Sequence, residues 1–170
     1  MSEDNHVGRA DLLSPVLGET GPPEPLFSTR AEFLTAFFGG PFAILLLSGM
    51  NANFLGRLKP DLWRYVLGTA ASVFVVSFLA WLRAADPPPA WYIDVAGDQA
   101  RQAVRWISRL FALVLWFLLW LPYRRYHKAA EVMGLGNRNP WKAAIASVVF
   151  GMFVLFLIGL NVAFAVQGAS

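Results

Sequence analysis

The sequence predicts an all-α integral membrane bundle of four transmembrane helices, and three observations carry that prediction. Only 15% of the 170 residues are charged and 56% are hydrophobic, whereas soluble domains carry about 25% charged residues, so this chain has too little polar surface to cover itself in water. The charges are also segregated. No Asp, Glu, Lys or Arg falls between Glu32 and Arg57, between Arg64 and Arg83, between Arg109 and Arg124, or after Lys142. Finally, a hydrocarbon core of roughly 30 Å takes about 20 helical residues to cross, and lipid admits only segments that satisfy their own backbone hydrogen bonds. Spans are therefore expected near 33–55, 62–83, 104–122 and 141–166, inside a transmembrane domain of residues 31–170. The fourth is apolar on every face, which argues against an all-α soluble bundle.

Residues 1–30 read as a flexible tail, with five acids, four prolines and few large apolar side chains. The tail begins with Glu3 and Asp4 and lacks the apolar stretch of a cleavable signal, so the first helix must direct its own insertion. The chain has no cysteine, which excludes disulfides, thiolate metal sites and thiol nucleophiles.

The first span opens on "FFGGP", Phe37 to Pro41. Pro41 lacks an amide donor and disfavours α geometry at Gly40, so the segment either starts a helix at Pro41 or bends one that starts near Glu32. Ser28, Thr29 and Glu32 supply N-cap chemistry for the longer version. The stretch from Pro41 to Arg57 is barely long enough to span by itself, and length therefore favours the longer, kinked helix.

The two turns share a pattern. "LGRLKPDLWR" (Leu55 to Arg64) and "LGNRNPWK" (Leu135 to Lys142) both have the form L-G-x-x-x-P followed by Trp and a basic residue, which suggests two tandem helical hairpins. Gly56 and Gly136 are expected to end helices, while Pro60 and Pro140 sit before or at the start of the next ones. Trp63, Trp141, Arg64 and Lys142 belong at the headgroup level. The spans after these turns carry small residues at helical spacing, Gly68 and Ser72 in one, and Ala143, Ser147, Gly151 and Gly159 in the other. Such stripes let backbones approach closely and read as helix-packing surfaces, with homo-oligomerisation through the Gly151 stripe as an alternative use.

Residues 104–122 contain only a short uncharged window, Leu110 to Tyr123, so Arg109 must enter the membrane and snorkel or find an acceptor. Arg101, Arg105 and Arg109 form a stripe on a helix beginning near Asp98. Beyond an expected bend at Pro122, Arg124, Arg125 and Lys128 are candidate contacts for anionic lipid headgroups. His127 and Glu131 share a helix face but lack the further ligands that a metal needs.

Counting Lys and Arg by side gives eight at the two turns and six on the opposite face, which puts the turns in the cytoplasm and both termini outside. No P-loop, dinucleotide fingerprint, HExxH or G-x-S-x-G is present, so an enzyme is not expected, nor a cofactor. The positive charge is explained by topology, so no nucleic acid is expected either; the partners are the lipid bilayer and another membrane protein or a second copy. The leading functional expectation is a non-enzymatic assembly, scaffold or accessory component acting through helix packing. The alternative is a small transporter or channel whose polar cavity gathers Ser48, Asn51, Asn161 and Arg109. Around "FFGGP" and "NFLGR", Phe37 to Arg57, the chain resembles small uncharacterised bacterial membrane proteins with an FFGGP-like first span. That resemblance implies a membrane location, in a bacterial inner membrane, and no particular activity.

Overall fold

A computed structural model describes residues 26–85, 89–90, 92, 100–132 and 139–168, with the side chains of 100, 101 and 130–132 outside the description. Its four long helices are α1 (Thr29–Phe54), α2 (Leu62–Ala84), α3 (Ala100–Val132) and α4 (Trp141–Gln167), and no strand occurs among the described residues. The fold is all-α, and each helix is long and apolar enough by length and composition to cross a membrane. The first turn of α1 is capped as its sequence suggests, Ser28 Oγ accepting from the Ala31 amide at 3.3 Å.

α1 does not run straight. Gly40 has φ 74° and ψ −166°, a conformation open to glycine and closed to side chains, and the residue that follows is Pro41, which favours extended ψ before it. The chain reverses there. Glu32 and Asn51 are 19 positions apart in sequence, about 28 Å along an uninterrupted helix, yet the Asn51 Nδ2 to Glu32 Oε1 distance is 2.6 Å. At the open end the rings of Phe27 and Phe54 meet edge to face with centroids 5.7 Å apart. α1 is therefore a hairpin of two antiparallel helical limbs, Thr29–Gly39 and Pro41–Phe54, and not the kinked single span expected from length. The limbs are about 16 and 21 Å long, each roughly half the depth of a bilayer with its headgroups.

Small residues allow the reversal to be buried. Ala36 and Ala43, both fully buried, face the crowded interior, and a Cβ added to Gly39 would lie 2.5 Å from Ala43 Cβ and 3.0 Å from Val148 Cα. The second limb ends as expected at Gly56, where φ is +65° and the Arg57 and Gly56 amides bond to the Ala52 and Asn53 carbonyls at 2.8 and 2.9 Å. Gly136 lies outside the described residues. α3 continues through Pro122 as one helix of 33 residues, about 50 Å. The L-G-x-x-x-P turn is thus preceded in one copy by a folded hairpin and in the other by a continuous helix, so the tandem-hairpin expectation does not extend to the elements themselves.

The hairpin is the centre of the bundle. It packs mainly against α4 and α3, and α2 touches all three, while α3 and α4 scarcely meet. Gly68 of α2 lets Leu45 and Leu115 approach to 2.9 and 3.3 Å from where its Cβ would be, joining α2 to α1 and α3. Ser72, fully buried, donates to the Gly68 carbonyl at 2.6 Å. On α4, Ser147 is fully buried, and a Cβ on Gly151 would stand 2.5 Å from the Gly39 carbonyl oxygen. The turned-back tip of α1 therefore rests on α4 at Gly151, about 15 Å from the start of that helix at Trp141 and so near the middle of its length.

Because the neighbours at Gly151 are the Gly39 and Ala43 backbone and the Ala43 Cβ, none of which can swing aside, Gly151→Ala is expected to cost about 1–3 kcal/mol through overpacking. Gly159 has open space where its Cβ would be, and Gly159→Ala is expected to stay within about 0.5 kcal/mol of the parent. Unfolding in mixed micelles followed by circular dichroism measures both, and equal effects at the two glycines would contradict the assignment.

Candidate functional site

Among the described residues, two polar constellations and a cavity stand out. The first constellation closes the hairpin. Asn51 Oδ1 accepts from the Phe27 amide at 2.9 Å, and its Nδ2 donates to the Phe27 carbonyl at 3.4 Å and to Glu32 Oε1 at 2.6 Å. One amide side chain thus engages both the backbone and a carboxyl group of the opposite limb. Glu32 and Asn51 are 3% and 1% exposed, so this satisfaction is required: a polar group buried without partners would cost several kcal/mol. Next to it, the Ser48 and Tyr65 hydroxyls share a hydrogen bond at 3.3 Å, and Tyr65 Oη also donates to the Ser48 carbonyl at 3.1 Å, which ties the second limb to α2.

The second constellation sits at the turn between α1 and α2. Asp61, buried, accepts from Tyr123 Oη at 2.8 Å and pairs with Arg64 at 3.2 Å and Arg57 at 3.5 Å. Arg57 in turn donates to Tyr126 Oη at 2.7 Å. The turn is thereby clasped to α3, just beyond Pro122. Trp63 and Trp141 are both exposed, and Arg64 lies over the Trp63 ring at 5.4 Å, as interfacial anchors do. Arg124, Arg125 and Lys128 are exposed on the same end of α3, with Arg124 over the Trp120 ring at 5.6 Å.

The cavity lies at the other end of the bundle. It has a volume of about 860 Å³ and is floored by Phe37, Phe38 and Gly40 at the tip of the hairpin. Its walls are the second half of α2, the first turns of α3 and the second half of α4, and its polar lining consists of Arg83, Arg105, Arg109 and Ser108. Since α1 turns back halfway, it contributes only this floor, and the other three helices supply the walls. The Arg109 guanidinium stands over the rings of Phe37 at 5.0 Å and Trp106 at 5.5 Å.

The residues expected to share a polar cavity are not brought together. Asn51 is consumed by the hairpin's own hydrogen bonds and Ser48 by its bond to Tyr65 of α2, while Asn161 faces outward with Nδ2 donating to the Leu157 carbonyl at 2.8 Å. Arg109 alone of the four reaches the cavity, in the company of Arg83 and Arg105. Among the small residues, Gly68, Ser72, Ser147 and Gly151 pack within the chain, Ala143 is partly buried, and Gly159 lines the cavity. The Gly151 face is filled by α1, leaving no room there for a second copy. The side chain of Glu131, expected beside His127, lies outside the described residues, and no group of three or more metal-binding side chains occurs among those described. Sequence reasoning places Glu32 at a helix cap and gives Asp61 no partner. Asn51 is 19 positions from Glu32 and Tyr123 is 62 from Asp61, beyond any local pattern, whereas the Arg57 and Arg64 pairs of Asp61 are four and three positions away. No family model matches this chain, and neither the curated proteins nor the solved structures yield a match.

Asn51→Leu keeps the volume and removes every bond to Phe27 and Glu32, so it is expected to lower stability by about 1–3 kcal/mol. Glu32→Gln retains an acceptor for Asn51 and is expected to cost less. Chemical unfolding of the two variants checks the order, and a harmless Asn51→Leu would contradict the clamp.

Proposed function

We propose that this chain is a non-enzymatic integral membrane protein of a bacterial inner membrane, an accessory component that offers a cavity of half-membrane depth to a ligand dissolved in the lipid. The observation that carries this reading is the reversal at Gly40. A segment whose two ends meet enters the membrane and returns on one side, so three helices cross and the fourth element only dips in. Irregular backbone at membrane depth is tolerated where protein buries it, as α4 does here at Gly151.

The reversal also changes the charge count. Arg30, and Arg9 in the chain leading to it, move to the side of the two turns, which then carries ten of the fourteen basic residues against four on the other. Ten against four is a firmer positive-inside preference than eight against six. In this arrangement the turns and the chain before α1 are cytoplasmic, in place of both termini outside. A non-catalytic role is supported by the cavity itself, whose titratable lining among the described residues is three arginines. An accessory role is supported by the outer face of α4, where Phe150, Phe153 and Phe164 are exposed to lipid or a partner.

The chain has no native cysteine, so single introduced cysteines are unambiguous reporters. Thr29→Cys and Lys59→Cys are expected to react with an impermeant maleimide from the same side of oriented vesicles, and Gln167→Cys from the opposite side. Reaction of Thr29→Cys together with Gln167→Cys would overturn the half-depth hairpin and, with it, the proposed role.

A further inference from the structure

The cavity above the hairpin combines features that together specify a class of occupant. Its floor is apolar and lies near mid-depth, lined by Phe37, Phe38 and Gly40, with Leu155 of α4 lying 3.4 Å from where a Gly40 Cβ would be. Its other end is cationic: Arg83 is in the last turn of α2, while Arg105 and Arg109 belong to the opening turns of α3. Among the described residues none of the three is paired with a carboxylate, and the Arg109 guanidinium lies over the Phe37 and Trp106 rings. Cations at this depth are costly unless an anion or water reaches them, and arginine holds phosphate oxygens through two parallel donors. Laterally, α3 and α4 scarcely meet. A long apolar chain can therefore enter from the bilayer.

A free anion would satisfy the arginines and leave the apolar part of the cavity unfilled, while a neutral lipid would fill it and leave the arginines unmatched. We propose that the cavity binds one phospholipid with an anionic headgroup, drawn from the leaflet opposite the two turns, with its phosphate on Arg83, Arg105 and Arg109 and its acyl chains against the hairpin floor. The volume of about 860 Å³ takes the headgroup and part of the acyl chains, the rest of which lie in the bilayer beside α3 and α4. Pockets lined by basic residues between membrane helices are apt sites for such headgroups. This assignment rests on the half-depth hairpin, which creates the space.

The test is native mass spectrometry of the full chain released from nanodiscs of equimolar phosphatidylglycerol and phosphatidylcholine. The parent is expected to retain one phosphatidylglycerol in preference to phosphatidylcholine, and a parent without preference overturns the proposal whatever the variants do. Arg105→Gln with Arg109→Gln is expected to reduce that preference about tenfold, a change of the size that charged phosphate contacts provide. Arg124→Gln with Arg125→Gln, at the far end of α3, is expected to leave it unchanged; loss of preference there instead would place the lipid at the turns and overturn the assignment. Gly159→Leu, which fills open space, is expected to expel the lipid while the helical circular dichroism stays that of the parent. Displacement of the retained lipid by millimolar inorganic phosphate would show a simple anion site and likewise overturn it. Failure of lipid selectivity with the cysteine labelling intact would remove this inference alone, whereas aberrant labelling would remove the hairpin reading beneath it.

Discussion

Everything in this bundle depends on the reversal at Gly40 being held shut. A glycine at positive φ followed by proline makes the turn accessible, but accessibility alone would leave two short apolar limbs free to straighten into one long helix. The Asn51 side chain prevents that by bonding across the open end to the Phe27 backbone and to Glu32, all shielded from solvent. In a low-dielectric setting the alternative to these bonds is an unpartnered amide and carboxyl group, so the closed hairpin is favoured by the cost of opening it as much as by the contacts it makes.

From that closure the remaining architecture follows. A hairpin of half-membrane depth needs its blunt tip covered, and the glycine of α4 that meets it is placed near the middle of that helix. Its open end is fixed to the turn side by Tyr65 and by the Asp61 cluster, which fastens α1, α2 and α3 where they leave the membrane. The opposite half of the bundle receives no hairpin and keeps a space. The same asymmetry that unites the acidic and aromatic clasp at one end leaves three arginines unpaired with carboxylates at the other, among the described residues.

Much of this is legible in the sequence. Charge segregation marks the four apolar elements, Ser28 and Gly56 announce a helix start and a helix end, and small residues at helical spacing mark the close contacts at Gly68 and Gly151. The reversal is not legible, for a physical reason. Hydropathy is a one-dimensional quantity and is the same for one long crossing as for two half-crossings joined at a turn. "FFGGP" reads as a kink because length favours a full span. The residue that decides the matter is Asn51, whose partner at position 32 bears no helical or strand spacing to it. The paired amides near the end of α1 accordingly have different roles: Asn51 is the clamp, and Asn53 is exposed on the surface. The same long-range pairing explains why the expected polar cavity does not form. Its asparagines are satisfied elsewhere, and the arginines gather where the hairpin is absent.

The most direct measurement is the dipolar coupling between nitroxide labels on Arg30→Cys and Asn53→Cys in the lipid-reconstituted protein. Both positions are exposed, and they lie at the two ends of α1. A closed hairpin predicts strong coupling, with the two labels at the same end of the bundle and within the reach of their own linkers. A distance of roughly 35 Å, which an uninterrupted helix rising about 1.5 Å per residue would place between them, would contradict the reversal at Gly40 and the cavity that depends on it.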